Sequence, residues 1–283
     1  MITKTDFIAR VNKEILNKPK SKEEKKRLTR IIIYDHLLAL GAIFLFWQNA
    51  NDEGMLYIIL VAFFILLFLP TLRFCSWARE ERLKTLIHLL DMPAVEFCKD
   101  PAYAKQVDAA HLLPNLAKQD LIFQGDPPFT FDEEKATVST VGVYYSRVRH
   151  ENRCFHGVFI EIKLDSFYAE PVVFSSKRWH NRRPGVNKVV FLGQDDRFDL
   201  FSNDEKAAKD LYFKQVAGKL LWIDKSLKVD RIDASFYQDR LYIALHTDND
   251  LFIYSREKDA KIYETSYDKI AMLQKYCEQF KGF

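Results

Sequence analysis

Glycine is scarce in this chain, nine residues in 283, and the motifs that depend on it are missing. Walker-A loops and dinucleotide fingerprints need glycine where backbone must approach phosphate, and neither pattern is present. G-x-S-x-G, the turn that exposes a nucleophilic serine, is also absent. There is no H-E-x-x-H, and the seven histidines do not cluster; His111, His150, His156, His180 and His246 read as surface or edge residues rather than ligands. The four cysteines (Cys75, Cys98, Cys154, Cys277) are scattered, form no C-x-x-C pair, and lie near no histidine at metal-ligand spacing. They read as reduced thiols. The expectation is no cofactor, no metal and no catalytic constellation. A net charge of +3 is too small to argue for nucleic acid.

What the chain does have is apolar character concentrated in one place. Its averages look ordinary, 48% hydrophobic with a mean hydropathy of −0.21. Many of its 23 phenylalanines, however, lie between positions 44 and 74. Two runs stand out, Ile31–Trp47 and Met55–Leu72, the second without any charge. Each is about 18 residues, roughly 27 Å as a helix, which suits a membrane span. The polar turn Gln48–Gly54 between them makes the pair an antiparallel hairpin. Residues 1–30 hold ten basic residues against four acidic ones, and Arg73, Arg79, Arg82 and Lys84 follow the second run. Positive flanks stay inside, so both termini are expected in the cytoplasm and the turn outside, in a multi-pass protein of the cell (inner) membrane. No cleavable signal peptide fits. Asp35 and His36 sit about one turn into the first run. Two readings stand for them: groups reaching headgroups at the membrane edge, or a proton or ligand role. Phe7, Ile8, Val11 and Ile15 follow helical spacing with Arg10 and Lys13 opposite, a short amphipathic helix lying on the membrane or packed on the cytosolic domain.

This organisation predicts a basic N-terminal segment (1–30), a transmembrane hairpin (31–72), a helical connector (73–118) and a cytosolic α+β domain (119–283). In the last, the hydrophobic period changes to two. Val158, Ile160, Ile162 and Leu164 share one face of a strand, with Phe159, Glu161 and Lys163 on the other. Further strands are expected near 137–148, 171–176, 188–193, 197–201, 230–236, 240–246 and 250–255. Ser202-Asn203-Asp204-Glu205 matches a capping box that opens a helix to about Ile223. A last helix is expected from about Ser266 to Phe280, with Ile270, Leu273, Cys277 and Phe280 inward. The expected fold is an antiparallel sheet or partial barrel carrying two helices.

Four pieces of this domain carry a resemblance. They are Leu121-Ile122-Phe123-Gln124-Gly125; Phe155-His156-Gly157-Val158-Phe159; Phe198-Asp199-Leu200-Phe201-Ser202-Asn203-Asp204; and Ala234-Ser235-Phe236 with Leu241-Tyr242-Ile243-Ala244-Leu245. In order and spacing they resemble the bacterial domain-of-unknown-function family 3137, over about residues 110–255. The resemblance implies a pair of hydrophobic helices before the domain and no catalytic residue. Where the family shows an Ala-Arg-Tyr-like run after the aspartate, this chain has Ala207-Ala208-Lys209-Asp210-Leu211-Tyr212. No role is carried to that position.

One cluster invites function. Lys177-Arg178-Trp179-His180-Asn181-Arg182-Arg183, closed by Pro184-Gly185, is expected to be a hairpin loop. Lys177, Arg178, Arg182 and Arg183 could grip anionic lipid while Trp179 sits at the headgroups; a solvated loop, a protein contact and nucleic-acid stacking are the alternatives. Asp195-Asp196 and Asp248-Asn249-Asp250 read as solvated turns. The leading expectation is a membrane-tethered interaction or ligand-binding module. Its partners would be membrane lipid and another membrane protein, with no nucleic acid and an oligomeric state the sequence leaves open. The alternatives are an enzyme of unfamiliar type acting on a membrane-associated substrate, and a small transport or channel subunit.

Overall fold

The computed structural model describes residues 2–16, 22–47, 57, 86–92, 107–113, 121–125, 129–131, 135–145, 153–177, 186–191, 197–247 and 260–283. The chain divides into two compact units, Ala9–Leu86 and Met1–Ile8 with Ile87–Phe283.

In the first unit, α2 (Lys22–Trp47) is one continuous helix. It starts inside the basic segment, because the Lys, Glu and Arg residues there are good helix formers. Its apolar part spans only residues 31–47 and has Asp35 and His36 in its first turns. Among the described residues no helix is long and apolar enough to cross a membrane. Of the expected hairpin the first run is described as helix, and nothing among the described residues shows it as a membrane span. Residues 48–54 and, apart from Tyr57, 55–72 lie outside the described residues.

The second unit is α+β, built on an open, seven-stranded antiparallel sheet rather than a closed barrel. Its strands are β1 (Leu121–Gly125), β2 (Phe129–Phe131), β3 (Ala136–Tyr145), β4 (Arg153–Ser176), β5 (Lys188–Val189), β6 (Phe198–Phe201) and β7 (Arg231–His246). β7 folds back on itself. Gln238 near its middle has φ 56°, and the Asp230 N–H donates to the His246 carbonyl at 2.8 Å. Fully extended, a strand of this length would separate its ends by roughly 50 Å, so that bond requires a reversal. Gln238-Asp239 forms the turn, joining the two strands expected at 230–236 and 240–246.

β4 wraps this hairpin. Its first half pairs with the second arm of β7, from Gly157↔His246 to Lys163↔Arg240; its second half pairs with the first arm, from Val172↔Phe236 to Ser175↔Asp233. The register shifts between Lys163 and Val172 mark the bend around the tip. On its outer side β4 pairs first with β3 and then with β6.

Alternation alone placed Phe159 on a polar face, yet both faces of this sheet region are covered. Phe155, Phe159, Tyr242 and Ala244 form a buried cluster with Val107, Ala110, Leu112 and Leu113 from the connector. Elsewhere Phe174 meets Phe198 and Phe236 edge to face at 6.2 Å, and Phe236 reaches Phe283 at 6.1 Å.

The single helix expected over 202–223 is instead three short ones, α3 (Glu205–Phe213), α4 (Val216–Leu221) and α5 (Asp224–Leu227). Gln215, with φ 60°, breaks the first from the second. The N-cap is Asp204, whose carboxylate accepts from the Ala207 N–H at 3.0 Å, while Ser202 Oγ accepts from the Asp204 N–H. The expected Ser202 cap is therefore shifted by two residues: the aspartate carboxylate reaches the free N–H first. The last helix, α6 (Ala260–Glu278), starts earlier than expected. It is tied to α4, where Tyr276 Oη donates to the Leu220 carbonyl and Lys219 Nζ to the Gln279 carbonyl. Burial and nearby Lys214 hold the Lys219 amine below its ordinary range.

The N-terminal helix α1 (Lys4–Val11) packs on protein. Phe7 is buried with its ring 5.3 Å from Tyr267, whose hydroxyl donates to the Ile2 carbonyl, and Lys4 pairs with Asp268 at 2.8 Å.

Candidate functional site

The residues singled out from the sequence do not converge. Asp35 is buried and His36 exposed, with His36 Nδ1 2.7 Å from the Ile32 carbonyl one turn earlier. Of the basic loop, Lys177 is described, an exposed turn residue at the end of β4 whose N–H donates to the Arg197 carbonyl at 3.2 Å. Arg178, Trp179, His180, Arg182 and Arg183 lie outside the described residues, as do Asp195-Asp196 and Asp248-Asn249-Asp250.

The structure does assemble an ionic hub that the sequence did not advertise. Asp233 is fully buried. Its Oδ1 accepts from Ser175 Oγ at 2.6 Å, its cross-strand partner. Its Oδ2 pairs with Arg231 Nη2 at 2.6 Å and lies 3.1 Å from His246 Nε2. Arg231 and Asp233 share a face because they are two apart on a strand. His246 joins them because β7 reverses. The ring of Phe155 meets His246 edge to face at 4.8 Å. In a hydrolytic triad the histidine stands between serine and carboxylate. Here the carboxylate stands between serine and histidine, an order different from that triad. The arrangement ties β4 to both arms of β7. His246 is thereby a member of a buried network, not a surface or edge residue.

A second feature is a small cleft of about 100 Å³ beside the end of α6. Phe131, Ala136, Ile162 and Cys277, all buried, supply its apolar wall. Lys135, Lys163, Asp165, Glu278 and Lys281 stand around it. Burial, with Glu278 adding to it, pushes the Cys277 thiol up to about 12. The sulfur is therefore neutral and inert at ordinary pH. Tyr276 is raised well above its ordinary value by burial as well. Among the described residues there is no group of three or more side chains able to hold a metal ion.

The class these observations define is an α+β domain on an open antiparallel sheet, with a buried structural hub and one charged, apolar-walled cleft. Residues 153–281 match the family described as "Protein of unknown function (DUF3137)". No curated protein matches the chain. Among solved structures it is similar to the crystal structure of the mycobacterial trehalose monomycolate transport factor A, TtfA. The identity is 8%, over 70% of this chain and 93% of that one, with a TM-score of 0.38, and nothing about function is carried over from it.

Proposed function

We propose that the protein is a membrane-tethered interaction or ligand-binding module, held by its N-terminal apolar segments with the α+β domain in the cytosol. The observation that carries this reading is the inverted face of α2. Ile33, Leu37, Leu40 and Phe44 follow one stripe and are 51%, 60%, 60% and 67% exposed, Tyr34 is 67% exposed, and Asp35 is buried. A water-facing helix shows the opposite arrangement. At about 100° per residue, the exposed positions from Ile32 to Phe44 cover an arc of roughly 200°. A groove on a partner protein covers an apolar stripe of about 100°, whereas lipid covers any width. The uncharged run 55–72 and the positive flanks point the same way. Lys177, Arg178, Arg182 and Arg183, with Trp179, would then bring the tethered domain back to anionic headgroups.

Single-cysteine labelling of intact cells tests the topology. A cysteine at Asn51 should react with an impermeant reagent and one at Lys188 should not; the reverse pattern, or no reaction at either site, refutes it.

A further inference from the structure

We propose that Lys219 is a modification site, an amine placed to be acylated by small acyl phosphates. The proposal stands on the second unit alone and does not depend on how the chain meets the membrane. Lys219 lies half-buried on α4, with its Nζ 4.2 Å from the centre of the Phe283 ring. That ring is buried and continues into Phe280 and Phe236 at 6.2 and 6.1 Å, so the amine stands on an aromatic floor. Lys214, the exposed residue that ends α3, brings a second ammonium to the same ring at 5.6 Å. Among the described residues no carboxylate acts on the Lys219 amine; the charge that does is the Lys214 ammonium. The ring attracts each cation, but the two cations repel one another. Desolvation and a neighbouring cation are the two ways in which a lysine becomes a nucleophile, and both hold this amine below its ordinary range. The bond from Lys219 Nζ to the Gln279 carbonyl, 2.9 Å, does not require the charge. A neutral amine also donates to it and keeps its lone pair, and the bond fixes where Nζ stands. The acyl phosphate follows from the pairing of the two lysines. Lys214 attracts the phosphoryl anion and so sets the carbonyl carbon beside Lys219, whereas a neutral acyl donor gains nothing from Lys214. Neutral Lys219 Nζ attacks that carbon. The C–N bond forms, the C–O bond to phosphate breaks, inorganic phosphate leaves with the electron pair, and the amine proton passes to water. The product is an uncharged acyl-lysine, with Lys214 left as the cation over the ring.

The test incubates the full chain, in phosphatidylcholine nanodiscs at neutral pH, with acetyl phosphate, and follows the acetylation of each lysine over time by mass spectrometry. Lys219 should react faster than the exposed Lys206 and Lys228, by about fivefold or more. Lys214→Met should lower the Lys219 rate by about two- to fivefold, the range that one charge at an exposed site supplies. The rates at Lys206 and Lys228 and the melting temperature should stay near wild type. Lys214→Arg, which keeps the cation, should keep the Lys219 rate. A parallel arm uses a neutral donor, the N-hydroxysuccinimide ester of acetic acid, with which the dependence on Lys214 should be smaller. Should the methionine variant fail to fold, the wild-type comparison and the arginine variant still decide. Lys219 reacting no faster than Lys206 and Lys228, or keeping its rate in a folded Lys214→Met protein, would overturn the proposal. An equal dependence on Lys214 with the neutral donor would overturn the assignment to acyl phosphates.

Discussion

Gly157 is where the wrap of β4 around β7 leaves no room. Its φ is 146°, and a Cβ built there would stand 2.0 Å from the Leu245 carbonyl oxygen and 2.8 Å from the Thr247 nitrogen. Both obstacles are backbone, so no rotamer change relieves them. Gly157→Ala must push the strands apart by more than 1 Å to regain ordinary contact. The bond from the Thr247 N–H to the His156 carbonyl, 3.3 Å, lies in the path. The unfavourable backbone conformation costs about 1–2 kcal/mol, overpacking about 1–3 kcal/mol, and a weakened ladder bond about 1 kcal/mol. The expected loss is about 3–6 kcal/mol, or roughly 6–24 °C in melting temperature at ~2–4 °C per kcal/mol for a domain of this size. Gly218 is the control. It is exposed on α4, and an added Cβ meets nothing within 4 Å. Gly218→Ala should be neutral or stabilising by up to ~1 kcal/mol. Thermal unfolding of the full chain, followed by near-ultraviolet circular dichroism, reads both. A Gly157→Ala protein melting within about 2 °C of wild type, or a Gly218→Ala protein falling as far, would refute the close-approach argument.

Asp233→Asn keeps the size of the hub's centre but removes the carboxylate from its 2.6 Å pairing with Arg231, so urea unfolding should show a loss of about 3–5 kcal/mol; stability equal to wild type would mean this buried pair does not hold the two strands together. The Cys277 thiol is raised from 9.0 to about 12, so its contribution is complete below pH 9 and is lost as pH rises from there towards 12. That is up to about 4 kcal/mol for three pK steps; Cys277→Ala should flatten the alkaline fall, and since Tyr276 acts in the same direction some slope will remain. An unchanged slope refutes the assignment. For the basic loop, changing Lys177, Arg178, Arg182 and Arg183 to Ser should remove up to about 1 kcal/mol per residue of binding to anionic vesicles in a sedimentation assay with residues 87–283. The effect should fade with salt, and equal binding by both proteins would leave the loop a solvated turn.

The sequence by itself determined the class of the second unit and the position of most of its strands, because hydrophobic period and turn residues act locally. Val158, Ile160 and Ile162 alternate, and Asp204 stands ready at a helix start. The resemblance to the matched family was legible from short pieces of strand and turn, three of the four lying within residues 153–281. What the sequence could not state was which polar faces are buried. Arg231, Asp233 and Ser235 alternate with Ile232, Ala234 and Phe236, a pattern identical to that of a half-solvated strand. Only pairing with β4, the reversal of β7 and the cover from residues 107–113 take that polar face out of water and gather Ser175, Arg231, Asp233 and His246 around one carboxylate. The cleft depended on tertiary structure for the same reason. Lys135, Lys163 and Lys281 are separated along the chain by up to 146 positions and carry no shared motif. Charge and burial at these sites are properties of which segments meet, and local spacing holds no record of that meeting.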